Sequence, residues 1–169
     1  HLDARMVASH LAAVDQPDLD LLIIENVGNL VCPSSYDLGE DAKVVLLSTV
    51  EGDDKPLKYP GIFRRSRAAV FTKVDLLGLT DFDIDRAEAN ARSINPQIRF
   101  FRVSNRTGVG LDDWVSWLAE QVEAKRARAG QAAGAGAAGA AQVEATQARA
   151  GQTPSGAGAG ALPQADPQR

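Results

Sequence analysis

Three short stretches of this sequence hold residues whose types and spacing suit chemistry. In Thr72-Lys73-Val74-Asp75, a carboxylate follows directly on an apolar run. Held at a strand end, such a carboxylate accepts two parallel hydrogen bonds from guanine N1–H and the exocyclic N2–H₂, a donor pair that adenine lacks. The Lys73 stem can lie along the base plane. Ser104-Asn105-Arg106-Thr107-Gly108 leaves the next apolar run, and a small residue followed by turn-formers lets backbone N–H groups approach a base carbonyl. In Glu25-Asn26-Val27-Gly28, an acidic residue with Gly three positions on suits a Mg²⁺-bound water and a backbone N–H reaching a terminal phosphate. That segment continues through Asn29-Leu30-Val31 into Cys32-Pro33. A thiolate favours Zn²⁺ or Ni²⁺ over hard cations, and His1 offers an imidazole. Each stretch also has a plain structural reading. Thr72–Asp75 can be a solvated turn, Ser104–Gly108 a strand-to-helix loop, Cys32 a small apolar side chain and His10 a partly exposed helical residue.

Positioning these residues requires a particular set of elements. Leu2 to Val14 has apolar residues at helical spacing, closed by Pro17. Asp20 to Glu25 is a continuous apolar run with polar ends, the pattern of a strand buried on both faces. Asn26 to Glu40 reads as a loop, Lys43 to Thr49 and Ala68 to Thr72 as strands, and the charged, proline-broken Glu51 to Pro60 as a second loop. Asp83 to Ile94 is predicted helical, with Asp81 or Asp83 as N-cap and Pro96 past its end. Ile98 to Val103 is a further strand, and Leu111 to about Lys125 a helix with Leu111, Val115, Leu118 and Val122 on one face. Apolar strands with helical covers predict an α/β domain on a parallel sheet. Ligands sit at the carboxyl ends of such strands, which draws together Glu25–Pro33, Thr49–Lys58, Thr72–Asp75 and Ser104–Gly110.

Composition narrows the function. With 18 Lys+Arg against 22 Asp+Glu, the 169-residue chain carries a net charge of −4 and a pI near 5.2, which argues against a general electrostatic hold on nucleic acid or anionic lipid. No apolar run approaches the ~20 residues that span a bilayer. A single cysteine excludes an internal disulfide framework and suits a reducing cytoplasm. From Ala129 on the chain is rich in Ala, Gly and Gln with only Val143 and Leu162 as larger aliphatics, too little to offset backbone ordering. The expected organisation is therefore a folded domain over 1–128 and a disordered tail over 129–169. A first residue of His suggests a fragment.

The run Glu25-Asn26-Val27-Gly28-Asn29-Leu30-Val31-Cys32-Pro33 has further companions: Ser35-Tyr36-Asp37-Leu38-Gly39-Glu40, Glu51-Gly52-Asp53-Asp54-Lys55-Pro56-Leu57-Lys58-Tyr59-Pro60 and Leu76-Leu77 after the Thr72 motif. Together with the two strand-end motifs, these resemble the HypB family of nickel-incorporation GTPases used in maturing nickel–iron hydrogenases, from Leu2 to about Leu118. The resemblance implies a P-loop NTPase-type three-layer α/β fold, a partial GTPase domain, GTP and Mg²⁺ as ligands, and Ni²⁺ or Zn²⁺ at a site shared between two subunits. It implies a nucleotide-bound homodimer, partners among other hydrogenase maturation proteins and the hydrogenase large subunit, a cytoplasmic location, and no nucleic-acid or membrane partner. Glu25 and Gly28 match the switch that senses the γ-phosphate; Lys73 and Asp75, with Thr72, Ser104 and Asn105, match the guanine-reading positions. Cys32 and His1 match the metal ligands, and Lys55 and Lys58 fall in a loop that the family places near nucleotide and partner subunit.

Three departures qualify the match. The sequence contains no Gly-x-x-x-x-Gly-Lys-Ser/Thr, so it has no backbone cradle for phosphates, no phosphate lysine and no hydroxyl for Mg²⁺; the strand and loop that precede this segment in the family are absent. The Cys expected before His1 is also absent, and Thr72 stands where the family has Asn. The expected function is a metal-binding GTPase in nickel insertion, with little activity in this segment alone. The alternative is a non-catalytic metal-binding or interaction module derived from such a GTPase.

Overall fold

The computed structural model describes residues 1–14, 16, 18–31 and 36–150, with 133–150 described by backbone alone. Contacts divide the chain into His1–Glu123 and Ala124–Arg169. In the first unit the element order is α1 (Ala4–Val14), β1 (Val44–Ser48), α2 (Lys55–Lys58), α3 (Pro60–Arg65), β2 (Ala68–Thr72), a 3₁₀ turn (Val74–Leu76), α4 (Ile84–Ile94), β3 (Arg99–Val103) and the start of α5 (Leu111–Ala150). No helix among the described residues is long and apolar enough to cross a membrane.

The three strands form a parallel sheet in the order β1-β2-β3. The register aligns Val44 with Ala68 and Arg99 at one end, and Ser48 with Thr72 and Val103 at the other. Strand alternation then sorts the side chains onto two faces. Val45, Leu47, Ala69 and Phe71 turn to one side, where Ile62, Phe63, Phe82, Ala87 and Ala91 meet them and Phe100 packs against the cluster. Ala68, Val70, Phe101 and Val103 turn to the other side, against Trp117 with Trp114, Leu111 and Leu118 alongside. Helices thus cover both faces, which makes the expected three-layer α/β arrangement and explains why β2 reads as an unbroken apolar run. Two indoles and a phenyl ring tie α5 to β3: Trp114 and Trp117 stack at 5.3 Å, and Phe101 meets them at 5.2 and 5.6 Å.

Helix α4 begins as its sequence predicts. The Asp83 carboxylate accepts from Arg86 N at 2.9 Å, an N-cap bond. Its end is tied by Asn95, whose Nδ2 donates to Phe63 O at 3.0 Å and Ser66 O at 2.9 Å. Those carbonyls lie at the close of α3, so one amide satisfies acceptors that helix ends leave exposed.

The structure corrects three expectations. Glu51 to Pro60 is not a loop throughout; α2 spans Lys55–Lys58 and α3 starts at Pro60, with proline in the first turn of each. Proline breaks a helix interior, but its fixed φ and missing N–H suit the opening turn. Asp20 to Glu25 pairs with no strand among the described residues. Leu21 and Leu22 are 41% exposed and Ile23 73%. An apolar run supplies strand propensity, but burial on both faces needs a ladder neighbour, and no described strand lies beyond β1. Finally, α5 runs to Ala150 instead of closing near Lys125, so 129–150 is helical where composition suggests disorder. Alanine's helix propensity outweighs the interspersed glycines there. The rest of the tail, 151–169, lies outside the described residues.

Candidate guanine-reading site

The end of β2 turns sharply. Lys73 sits at φ +61°, ψ +37°, the left-handed region, and is the one non-glycine with positive φ among the described residues. That conformation costs a β-carbon-bearing residue about 1–2 kcal/mol. It is held by neighbours: Leu76 N donates to Lys73 O at 2.9 Å, and Thr49 N donates to Thr72 O at 3.1 Å. Turning left at Lys73 halts the extended chain and starts the 3₁₀ turn that carries Asp75.

Asp75 then meets Ser104 at the next strand end. Ser104 is fully buried, and its Oγ donates to Asp75 Oδ1 at 2.5 Å. The serine is itself fixed from three directions: its N donates to Val109 O at 3.0 Å, its O accepts from Gly108 N at 2.8 Å, and its Oγ accepts from Thr107 N at 3.2 Å. Gly108 supplies the left-handed turn, φ +81°, that closes this loop. A carboxylate oriented by a buried hydroxyl retains acceptor capacity at both oxygens, as a guanine N1–H/N2–H₂ pair requires. The two motifs read in the sequence are therefore brought into contact. Thr72 is half-buried at the end of β2, while Lys73 and Asn105 are exposed beside them.

The other predicted residues are placed elsewhere. Glu25 and Gly28 are exposed, and Gly28 has open space around its Cα and no positive φ. Their segment is moored on one side by Asn26, whose Oδ1 accepts from Leu2 N at 2.9 Å, and on the other by Leu30 against the core. Among the described residues, neither is drawn to the Asp75–Ser104 pair. His1 stacks on the Tyr36 ring at 4.5 Å. Cys32 and Pro33 lie outside the described residues. Among the described residues no group of three His, Cys, Asp or Glu is arranged to hold a metal. Lys55 and Lys58 pair along α2 with Glu51 and Asp54, both at 2.7 Å.

Two residues were not singled out by sequence and prove structural to the site. The Thr49 hydroxyl, fully buried, donates to Lys73 O at 2.7 Å. Asp53, 7% exposed, accepts from Asp83 N at 3.0 Å, from Arg86 Nε at 3.0 Å and from Arg86 Nη2. The Arg86 hydrogen bonds hold the Asp53 carboxyl below the usual carboxylate range; burial opposes this and the Asp83 amide adds to it. This pair fastens the loop after β1 to the start of α4. Its sequence signal was the Gly52-Asp53-Asp54 cluster, which names acceptors but not their distant donors.

For the nucleotide, the residues present fit the base and not the phosphates. Asp75 and Ser104 form an acceptor at neighbouring strand ends, whereas no residue set among the described residues supplies a phosphate cradle or a Mg²⁺ hydroxyl.

A parallel sheet with helices on both faces, whose neighbouring strand ends join Thr-Lys-x-Asp to a buried serine, defines an α/β fold of the P-loop GTPase class. No family model matches the chain. Individual relatives do. A hydrogenase maturation factor HypB of Azotobacter vinelandii is 50% identical over 121 residues, 72% of this chain and 40% of the relative. That of Escherichia coli K12 is 48% identical over 121 residues, 72% of this chain and 42% of the relative. Among solved structures, HypB from Archaeoglobus fulgidus superposes with a TM-score of 0.68 at 41% identity, covering 72% of this chain and 59% of that one. HypB from Helicobacter pylori in complex with nickel gives 0.70 at 36% identity, covering 74% and 60%. The chain belongs to the HypB family, and it spans about two fifths of the length of those two sequence relatives.

Proposed function

We propose that this chain is the base-reading and metal-handling part of a GTPase that assists nickel insertion into nickel–iron hydrogenase, with nucleotide hydrolysis gating release of the metal. The observation that carries the nucleotide half is the 2.5 Å bond from Ser104 Oγ to Asp75 Oδ1 across adjacent strand ends. The metal half rests on Cys32 as thiolate ligand and His1 as imidazole ligand, on the hydrogenase-maturation names of the relatives, and on the nickel bound by the Helicobacter pylori protein. Glu25 and Gly28 act as the γ-phosphate switch, seven and four residues ahead of Cys32, so a switch movement carries the metal ligand with it. A homodimer completes the metal site, and other maturation proteins and the hydrogenase large subunit receive the metal.

Two substitutions test the halves separately. Asp75→Asn exchanges a double acceptor for an acceptor–donor pair, which matches the N1–H and C2 carbonyl of xanthine. In a titration followed by NMR, guanosine monophosphate affinity should fall at least tenfold and xanthosine monophosphate become the preferred ligand. An unchanged preference overturns the base-reading role. Cys32→Ser should abolish Ni²⁺ and Zn²⁺ binding measured by calorimetry; retained affinity removes Cys32 from the ligand set.

A further inference from the structure

We infer that Thr49 is a positioning residue for the base-reading loop: its hydroxyl latches Lys73 O and so holds Lys73 in the left-handed conformation before any nucleotide arrives. The inference rests on the guanine reading only for its ligand arm. Thr49 belongs to the chain leaving β1, not to either recognised motif, and it lies 24 positions ahead of Lys73.

Three bonds converge on this corner. Thr49 N to Thr72 O, at 3.1 Å, carries the parallel pairing one residue past the end of β1. Thr49 Oγ1 to Lys73 O, at 2.7 Å, then grips the next carbonyl of the neighbouring chain. Leu76 N, at 2.9 Å, supplies that same carbonyl with its second donor. The first bond would survive any side chain but proline at position 49, and the third depends on the turn already being made. Among the described residues the hydroxyl is therefore the one contact from outside the loop that fixes the direction of the Lys73 carbonyl, and with it the left-handed turn. A strained backbone persists where its surroundings over-determine it. Here that strain is coupled to the site, because the 3₁₀ turn beginning at Val74 brings the Asp75 carboxylate to Ser104. Thr49 is fully buried, so water cannot replace the lost donor cheaply.

The test uses the full chain, ¹⁵N-labelled, with Thr49→Val, which keeps the shape and removes the hydroxyl, and Thr49→Ser, which restores it. The Lys73 intraresidue HN–Hα cross-peak, strong in the left-handed region, is the first readout; guanosine monophosphate affinity is the second. Thr49→Val should lose the strong cross-peak and weaken the nucleotide about five- to tenfold, the loss of one hydrogen bond. Thr49→Ser should recover both within about twofold, which a role in packing alone would not do. A folded Thr49→Val chain that keeps the left-handed cross-peak overturns the latch. Should that variant not fold, Thr49→Cys, with its weak donor, reads the same cross-peak. Failure of the base reading looks different: the cross-peak responds as expected, but wild-type chain binds guanosine and xanthosine monophosphates alike.

Discussion

Asp75 and Ser104 owe their value to a few fixed neighbours, and the same is true of Asp53. Its carboxylate sits almost out of solvent with one cation and one backbone amide as donors. Because the Arg86 bonds depress its pKa below the ordinary 3.8, the folded chain holds the ionised form more tightly than the unfolded chain does. That contribution is complete above the unfolded value and is lost as pH falls through the depressed folded one. Thermal unfolding followed from about pH 5 down to about pH 2 should therefore show a steep acid limb that Asp53→Asn makes shallower. At neutral pH, Asp53→Ala should destabilise the chain by about 1–2 kcal/mol, since it strips the Asp83 amide of its acceptor. An acid limb identical in both proteins would remove the pair from the account. Motif spacing made Asp75 and Ser104 visible in the sequence. The roles of Thr49 and Asp53 were not legible there because what defines each is a partner 24 or 30 and more positions away.

Between β3 and α5, a seven-residue span, 104–110, must reverse direction without pushing the helix off the strand. Gly110 does this at φ +70°, where an added Cβ would sit 2.0 Å from the Arg102 carbonyl oxygen. Gly108, at φ +81°, has nothing within 4 Å of the same position. The two glycines separate conformational strain from steric collision. Gly108→Ala should cost about 1 kcal/mol, and Gly110→Ala clearly more, about 2–4 kcal/mol, because α5 must shift to admit the methyl. Chemical denaturation with matched slopes checks the ranking; equal losses would mean that contact with the Arg102 backbone is not limiting. Elements of this kind explain what was legible. Strands β1 to β3 and the capped start of α4 follow from local pattern, since period, cap and apolar run lie within the segments themselves. Helices α2 and α3 did not, because proline marks both a break and an opening turn, and only the packing of Pro56, Ile62 and Phe63 decides between them. The run Asp20–Glu25 failed for the opposite reason: its propensity is correct for a strand, but a strand is a property of two segments.

At the level of the molecule, the proposed base reading lets the described residues hold the base of a nucleotide through Asp75 and Ser104 and not its phosphates. Binding free energy for a nucleoside triphosphate comes chiefly from charge-assisted bonds to its phosphates, made by a backbone cradle, a lysine and a bound Mg²⁺. None of these has a sequence counterpart here, whereas the Asp75–Ser104 pair is complete. A site of this kind should rank ligands by base and be nearly indifferent to phosphate number. Guanosine mono-, di- and triphosphates should bind this chain within about threefold of one another, all weaker than micromolar, and Mg²⁺ should not strengthen the triphosphate. Hydrolysis should be negligible, because no group among the described residues is positioned to stabilise charge on a departing phosphate. Isothermal titration of the three nucleotides with and without Mg²⁺ measures all of this. Low-micromolar, Mg²⁺-dependent binding of the triphosphate would mean that residues other than the strand-end pair hold the phosphates, with the exposed Lys73 and Lys58 the first to substitute.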